Sequence, residues 1–140
     1  GNETITKIIL PLNQKIKSDF LLLSKEFVRN QKKIPVRRDK FEKLNQLLAD
    51  GSTSRQVLTD FIARDATLSI ITLKEFIAEG NSALSLTQAV DRISPGKLAE
   101  IFSTENPEIT LITPDERAAT LRQIVFRRRP PLLKPYISAD

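Results

Sequence analysis

The stretch DATLSIITLKEFIAEG, residues 65–80, decides the fold that the sequence predicts. Its apolar residues cover most of the circumference of a helix, which is typical of a helix surrounded by protein on all sides. Asp65 has a side chain suited to an N-cap, and Gly80 can take the left-handed conformation that closes a helix. Arg64 falls in the last turn of the preceding helix, where a cation complements the helix dipole. We therefore expect a central buried helix, with structural roles for both Arg64 and Asp65.

Three amphipathic helices are predicted before this central helix. Apolar residues at steps of three and four predict a long first helix from Pro11 to about Asn30. A polar and basic connection follows, and Asp39 is the expected N-cap of the second helix. Thr53 and Gln56 have the spacing of a capping box, which predicts the start of the third helix. Each of these helices carries one apolar face and needs a surface to cover it.

Beyond the central helix the sequence predicts two short helices and then a change of structure. Ser85 and Ser94 are the expected N-caps of the short helices. The β-branched run EITLI, residues 108–112, predicts a strand, and Thr113 followed by Pro and two acidic residues begins a last helix that ends near Phe126. This last helix is expected to carry the apolar residues Ala118, Leu121, Ile124 and Val125.

These elements predict a mainly α-helical fold. Residues 1–104 would form a helical bundle, and residues 105–140 a small strand-helix appendage with a basic, proline-rich tail. The chain lacks Met, including at its first position, so we expect it to be one domain of a larger protein. No apolar run approaches the roughly 20 residues that cross a bilayer, which predicts no membrane span and a cytoplasmic location.

The composition excludes several classes of catalytic and cofactor site. The 140 residues include no Cys and no His, which excludes disulfides, thiolate nucleophiles, imidazole bases and the usual zinc sites. The four glycines are isolated, so a phosphate-binding loop is absent as well. Asp60 with Asp65, or Asp115 with Glu116, could hold Mg²⁺, but helix capping and solvation explain them more simply. We expect a protein without catalytic residues, metal or cofactor.

Several short motifs between Ile34 and Phe102 follow one another in the order of a known family. IPV precedes a helix with repeated leucines, FIARD ends the next helix, and NSA, SLTQAV and KLAEIF come later. In this order the motifs resemble the HDOD domain, the all-helical, metal-free signalling relative of the HD phosphohydrolases. The family usually has Pro after the Asp of RD, where this chain has Ala66. The resemblance implies a non-catalytic scaffold in a bacterial regulatory protein, acting through contacts with partners.

Two candidate contact surfaces follow from the sequence. The apolar face of the first helix would contact a protein partner or another domain of the parent protein, or would be clasped within this domain; it consists of Leu12, Ile16, Phe20, Leu23 and Phe27. The basic surface consists of Arg37, Arg38, Lys40, Arg127, Arg128 and Arg129.

The leading hypothesis for function is therefore a non-catalytic protein-interaction or signalling module. The alternative is a nucleic-acid-associated domain whose basic surface contacts phosphates, and it requires both basic clusters to lie on one face. A third interpretation of Arg127 to Arg129 is structural, since cations at the end of a helix compensate its exposed carbonyl groups.

Overall fold

A computed structural model describes residues 14–82 and 85–128 of the chain. The helices and strands are α1 (Gln14–Leu23), a π-helical segment (Ser24–Val28), β1 (Ile34–Arg37), α2 (Arg38–Ala49), α3 (Arg55–Ala63), α4 (Ala66–Ala78), α5 (Leu86–Arg92), α6 (Pro95–Ile101), β2 (Ile109–Ile112) and α7 (Pro114–Arg127). The predicted helix start at Pro11, the candidate residues Leu12 and Arg129, and the proline-rich tail lie outside the described residues. The fold is mainly α-helical, as predicted.

Helix α4 is the centre of the molecule, which confirms the prediction from its apolar circumference. It packs against α1, α3, α5, α6 and β1. Eight consecutive residues, 66–73, are buried, including the polar Thr67, Ser69 and Thr72. The hydroxyls of Ser69 and Thr72 donate to backbone carbonyl oxygens one turn earlier, at 3.0 and 2.8 Å. These bonds satisfy the polar groups that the burial of a whole helix brings into the core.

A two-stranded parallel sheet pairs a segment near the start of the described chain with one near its end. β1 pairs with β2 in the register Ile34 with Ile109 and Arg37 with Ile112. The strand at 109–112 was predicted, whereas the sequence indicated only a polar and basic connection where β1 lies. Parallel strands need a crossover, and here the crossover contains the five helices α2 to α6.

The described part of the predicted appendage, residues 105–128, shares the core of the bundle. Ile124 on α7 is fully buried in the same hydrophobic cluster as Phe20 of α1 and Leu73 of α4. α7 packs against α1 and β1, and β2 packs against α2. A two-stranded sheet is at best marginally stable alone, so this packing supplies the surface that the short strands require.

The first helix differs from its prediction in its second half. α1 ends at Leu23 and continues as a π-helical segment to Val28, where Arg29 N donates to Ser24 O at 3.0 Å. Gln31 then has a positive φ of 55°, and the chain turns toward β1. The helical region therefore ends two residues before the predicted Asn30, and its last turn is wider than that of an α-helix.

Most of the predicted helix caps are confirmed. The side-chain oxygens of Asp65, Ser85 and Ser94 accept from backbone N–H groups in the first turns of α4, α5 and α6. Thr113 and Glu116 form a complete capping box at the start of α7. Gly80 closes α4 with a φ of 86°, the left-handed conformation that glycine adopts without strain.

Two predicted caps were wrong by one or two positions. Ser54, not Thr53, caps α3, since its oxygen accepts from Val57 N at 3.2 Å. The N-cap of α2 is Arg37, whose guanidinium donates to Asp39 at 3.0 and 2.6 Å. The carboxylate of Asp39 is therefore used in an ion pair instead of a cap, because the guanidinium offers two parallel donors.

Among the described residues, no helix has both the length and the apolar character that a membrane crossing requires.

Candidate functional site

Asp65, the first residue of the stretch DATLSIITLKEFIAEG, is a buried junction of three elements. Its Oδ1 accepts from Thr67 N at 2.9 Å and Leu68 N at 3.1 Å, which caps α4. The same oxygen accepts from the hydroxyl of Thr67 at 2.9 Å. Only 5% of Asp65 is exposed, so its charge needs a compensating cation nearby.

That cation is Arg117 of α7. Its Nη2 lies 3.5 Å from Asp65 Oδ1, and its Nη1 donates to Thr67 Oγ1 at 2.9 Å and to Pro35 O at 3.4 Å. Arg117 is 6% exposed, and its buried Nε has no hydrogen-bond partner. One guanidinium therefore connects α7 to the start of α4 and to β1. Sequence reasoning missed Arg117, since nothing local distinguishes it from the other arginines of α7.

Arg64, the neighbour of Asp65, is exposed at the C-cap of α3. Asp65 has the structural role expected of it, and Arg64 lies at the end of the preceding helix, where its charge was expected to complement the helix dipole. Asp65 is therefore occupied as a helix cap and as an ion-pair partner. In the part of the chain that the structure describes, no three acidic side chains converge as a metal site would require. Asp60, the other half of one suggested Mg²⁺ pair, accepts from Gln56 Nε2 at 2.8 Å.

A second buried carboxylate, Glu26, gathers the cations at the end of α7. Glu26 lies in the π-helical segment and is 7% exposed. Arg127 Nη2 lies 2.9 Å and Lys32 Nζ 3.1 Å from Glu26 Oε1, and Arg128 Nη2 lies 3.5 Å from Oε2. The hydrogen bond from Arg127, followed by that from Lys32, lowers the pKa of Glu26 below its ordinary value. We call this group the Glu26 cluster.

The candidate basic surface is thus divided and partly neutralised. Arg127 and Arg128 are held by Glu26. Arg37 is paired with Asp39, which raises the pKa of Arg37 and lowers that of Asp39.

Arg38 and Lys40 complete the described part of the candidate basic surface. Arg38 is exposed near Glu116, and Lys40 Nζ lies 5.4 Å from the ring centre of Phe61. Glu116 and Arg127 are eleven positions apart on α7, about 16 Å along its axis. The basic residues at 37–40 and those at 127–128 therefore lie near opposite ends of α7.

The candidate apolar face of α1 is turned into the molecule. Phe20 and Leu23 are buried in the core at 1% and 0% exposure, and Ile16 and Phe27 pack against them in part. Helix α4 is the main neighbour of α1. Phe20 and Leu23 are therefore covered by this chain, and Ile16 and Phe27 are partly covered. This arrangement corresponds to the intramolecular clasp considered for this helix.

A different apolar surface is open to solvent, between α1 and α7. Val125 is 52% exposed and Phe126 66% exposed. Both line a cavity of about 630 Å³ whose remaining apolar wall comes from Leu22, Ala118 and Leu121. Ile124 is the buried residue of this turn, and Val125, the next residue, is rotated from it by about 100° around the helix.

A second cavity of about 250 Å³ adjoins the first and shares four of its lining residues. It is lined by Arg37, Arg64, Asp65 and Arg117, among others. We call the two cavities together the α1–α7 groove. Its apolar end is lined by Leu22, Leu121, Val125 and Phe126, and its basic end by Arg37, Arg64 and Arg117.

The two helices run in the same direction along the groove. Ile16 and Arg117 both line the basic end, and Glu26 contacts Arg127 near the other end. The groove extends along α7 from Pro114 to Phe126, which is about 18 Å of helix. It has the length of about three helical turns and changes from charged to apolar along that length.

No family model matches the chain, and no curated protein or solved structure matches it.

Proposed function

We propose that this domain is a non-catalytic protein-interaction module that binds a helical segment of a partner protein in the α1–α7 groove. The observation that carries the proposal is the exposure of Val125 and Phe126 beside each other on a helix whose opposite face enters the core. Large apolar side chains grouped in a concave site are typical of partner-binding surfaces. A groove of about three turns between two helices fits an amphipathic helix, whose apolar residues recur every three or four positions.

The resemblance of residues 34–102 to HDOD domains supports a role in signalling within a larger bacterial regulatory protein. That role uses partner contacts and no bond-making chemistry. The two buried carboxylates agree with it, since Asp65 and Glu26 are both engaged in structural hydrogen bonds and ion pairs.

The rival function, phosphate contact by the basic surface, has less support from the geometry. Arg37 and Arg127 each have an acidic partner at 2.6 and 2.9 Å, respectively. A phosphate would have to compete with these carboxylates for the same guanidinium donors.

The test uses a displayed library of random 16-residue peptides, long enough to span the groove as a helix. Peptides are selected on the purified protein and then measured by fluorescence anisotropy on two variants. Phe126→Ser changes the groove, while Val57→Ser removes an apolar side chain that is 46% exposed on α3, outside the groove. We expect selected peptides to lose at least tenfold in affinity on Phe126→Ser and to bind Val57→Ser unchanged.

Either of two results would refute the proposal. One is a library that yields no binder tighter than about 100 µM, since that corresponds to only about 5.5 kcal/mol of binding free energy. The other is a set of binders that respond equally to Phe126→Ser and Val57→Ser. Both substitutions are at exposed positions, so folding is expected to be kept within about 0.5 kcal/mol.

A further inference from the structure

We propose that the partner segment bound in the α1–α7 groove is acidic, with carboxylates that pair with Arg64 and Arg122. This inference rests on the proposed function and adds the chemistry of the partner. It follows from the charges along the groove, which are unbalanced over its whole length.

The side chains that line the groove are mostly cationic where they are charged. Six cations line its two cavities and the adjoining cavity of about 420 Å³ around Phe126, against two carboxylates. The cations are Lys15, Arg37, Arg64, Arg117, Arg122 and Arg127, and the carboxylates are Asp19 and Asp65. An apolar groove with such a rim attracts a segment of opposite charge and disfavours a basic one.

Four of the six cations already have a carboxylate partner within the chain. Lys15 lies 3.8 Å from Asp19, Arg37 pairs with Asp39, Arg117 with Asp65, and Arg127 with Glu26. These four pairs leave the remaining two cations as the source of the imbalance.

Arg64 and Arg122 are both exposed, and within residues 14–82 and 85–128 neither forms an ion pair or side-chain hydrogen bond. Arg64 lines the basic end of the groove, and Arg122 lines the apolar end. Their guanidinium groups therefore remain available to two separate carboxylates of one bound segment. Guanidinium groups bind carboxylates through two parallel hydrogen bonds, which also fixes the direction in which the segment lies.

Ion pairs between arginine and carboxylate groups at the rim of an interface mainly affect the association rate and the orientation of the partner. We therefore expect reversal of both charges to weaken binding about tenfold, chiefly through slower association, and to remove most of the salt dependence. The apolar contacts at Phe126 would remain and would hold neutral peptides as before.

The test uses the selected peptides again and examines their net charge and their response to charge reversal in the groove. Selected peptides that depend on Phe126 are sequenced and then measured by stopped-flow on Arg64→Glu/Arg122→Glu and on the matched variant Lys43→Glu/Arg92→Glu. Lys43 and Arg92 are exposed on α2 and α5, away from the groove. Both double variants lower the net charge of +5 by the same four units, so a general charge effect would appear equally in both.

We expect the groove-dependent peptides to carry a net negative charge and to weaken about tenfold only on Arg64→Glu/Arg122→Glu. The neutral variant Arg64→Gln/Arg122→Gln should give an intermediate loss, which guards against a folding defect in the Glu variant. Groove-dependent peptides of neutral or basic composition, or an equal response of the two Glu variants, would overturn the acidic partner and leave the proposed function standing.

Two further outcomes distinguish this inference from the proposed function and from phosphate binding. Selected peptides that do not depend on Phe126 would refute the proposed function and this inference together. A labelled 16-base-pair duplex DNA is also tested at 50 mM salt for competition with the selected peptides. A duplex that displaces the peptides and is lost on Arg64→Glu/Arg122→Glu would assign the two arginines to phosphates and overturn the acidic partner.

Discussion

Replacing Arg117 by Met should destabilise the domain by about 3–5 kcal/mol, the cost of leaving one member of a buried ion pair without its partner. Arg117 is 6% exposed and Asp65 5% exposed, so water cannot compensate the remaining carboxylate. The substitution also removes the donor that reaches Thr67 Oγ1 at 2.9 Å. Met has a similar length and keeps the apolar contacts of the side chain, which limits the loss to the polar interactions.

The loss would be measured by urea unfolding followed by circular dichroism. Arg122→Met is the matched control, since it makes the same change on the same helix at an exposed position. It should change the free energy of unfolding by no more than about 0.5 kcal/mol. The total free energy of unfolding of a domain of this size is about 5–15 kcal/mol, so the expected difference between the two variants is large enough to measure.

A double variant tests whether the cost arises from the unpaired charge of Asp65. Asp65→Asn keeps an oxygen that can cap α4 but removes the charge. Arg117→Met should therefore lower the free energy of unfolding by at least 1 kcal/mol less in the Asp65→Asn variant than in the wild type. Equal stability of Arg117→Met and Arg122→Met, or strict additivity in the double variant, would refute the claim that this pair holds α7 to α4.

Two further predictions concern the ends of α7. Because the pKa of Glu26 is lowered from 4.5, its charge stabilises the fold above that pH, and the stability should be lost as the pH falls through the lowered pKa. The free energies of unfolding of wild type and Glu26→Gln, measured from pH 7 to 2, should therefore converge at the acid end. A constant difference between them would contradict the assignment. Thr113→Ala removes the capping box with Glu116 and should cost about 0.5–2 kcal/mol, whereas Thr110→Ala, at an exposed position of β2, should not match that loss.

The sequence predicted well those features whose partners lie within a few residues. The caps at Asp65, Ser85 and Ser94 each involve a backbone N–H two or three positions later, so the residue type and its spacing contain the necessary information. The central position of α4 was predictable for a related reason. A helix that is apolar on nearly all sides has few stable places other than the middle of a fold.

Features that depend on distant partners were not predictable from the same patterns. Arg117 and Thr67 are 50 positions apart, and Glu26 and Arg127 are 101 apart. In the sequence, Arg117 looks like any solvated cation on a helix, and Arg127 looks like the end of one. Only the fold decides which of the arginines meets a buried carboxylate, and therefore which of them remain available on the surface.

The π-helical segment links these distant contacts to the shape of the groove. Its wider turn adds a residue between α1 and the chain reversal and places Glu26 against the end of α7, where Arg127 and Arg128 converge on it. Phe126 directly precedes these arginines, so the Glu26 cluster fixes the position of the apolar end of the groove. Arg117 and Asp65 fix the other end in the same way. Core packing of α1 and α7 holds the groove between these ends, and ion pairs to the buried carboxylates of Asp65 and Glu26 hold the ends themselves. A groove supported in this way has its shape without a ligand, and for the partner segment proposed above this preorganisation would lower the ordering cost of binding.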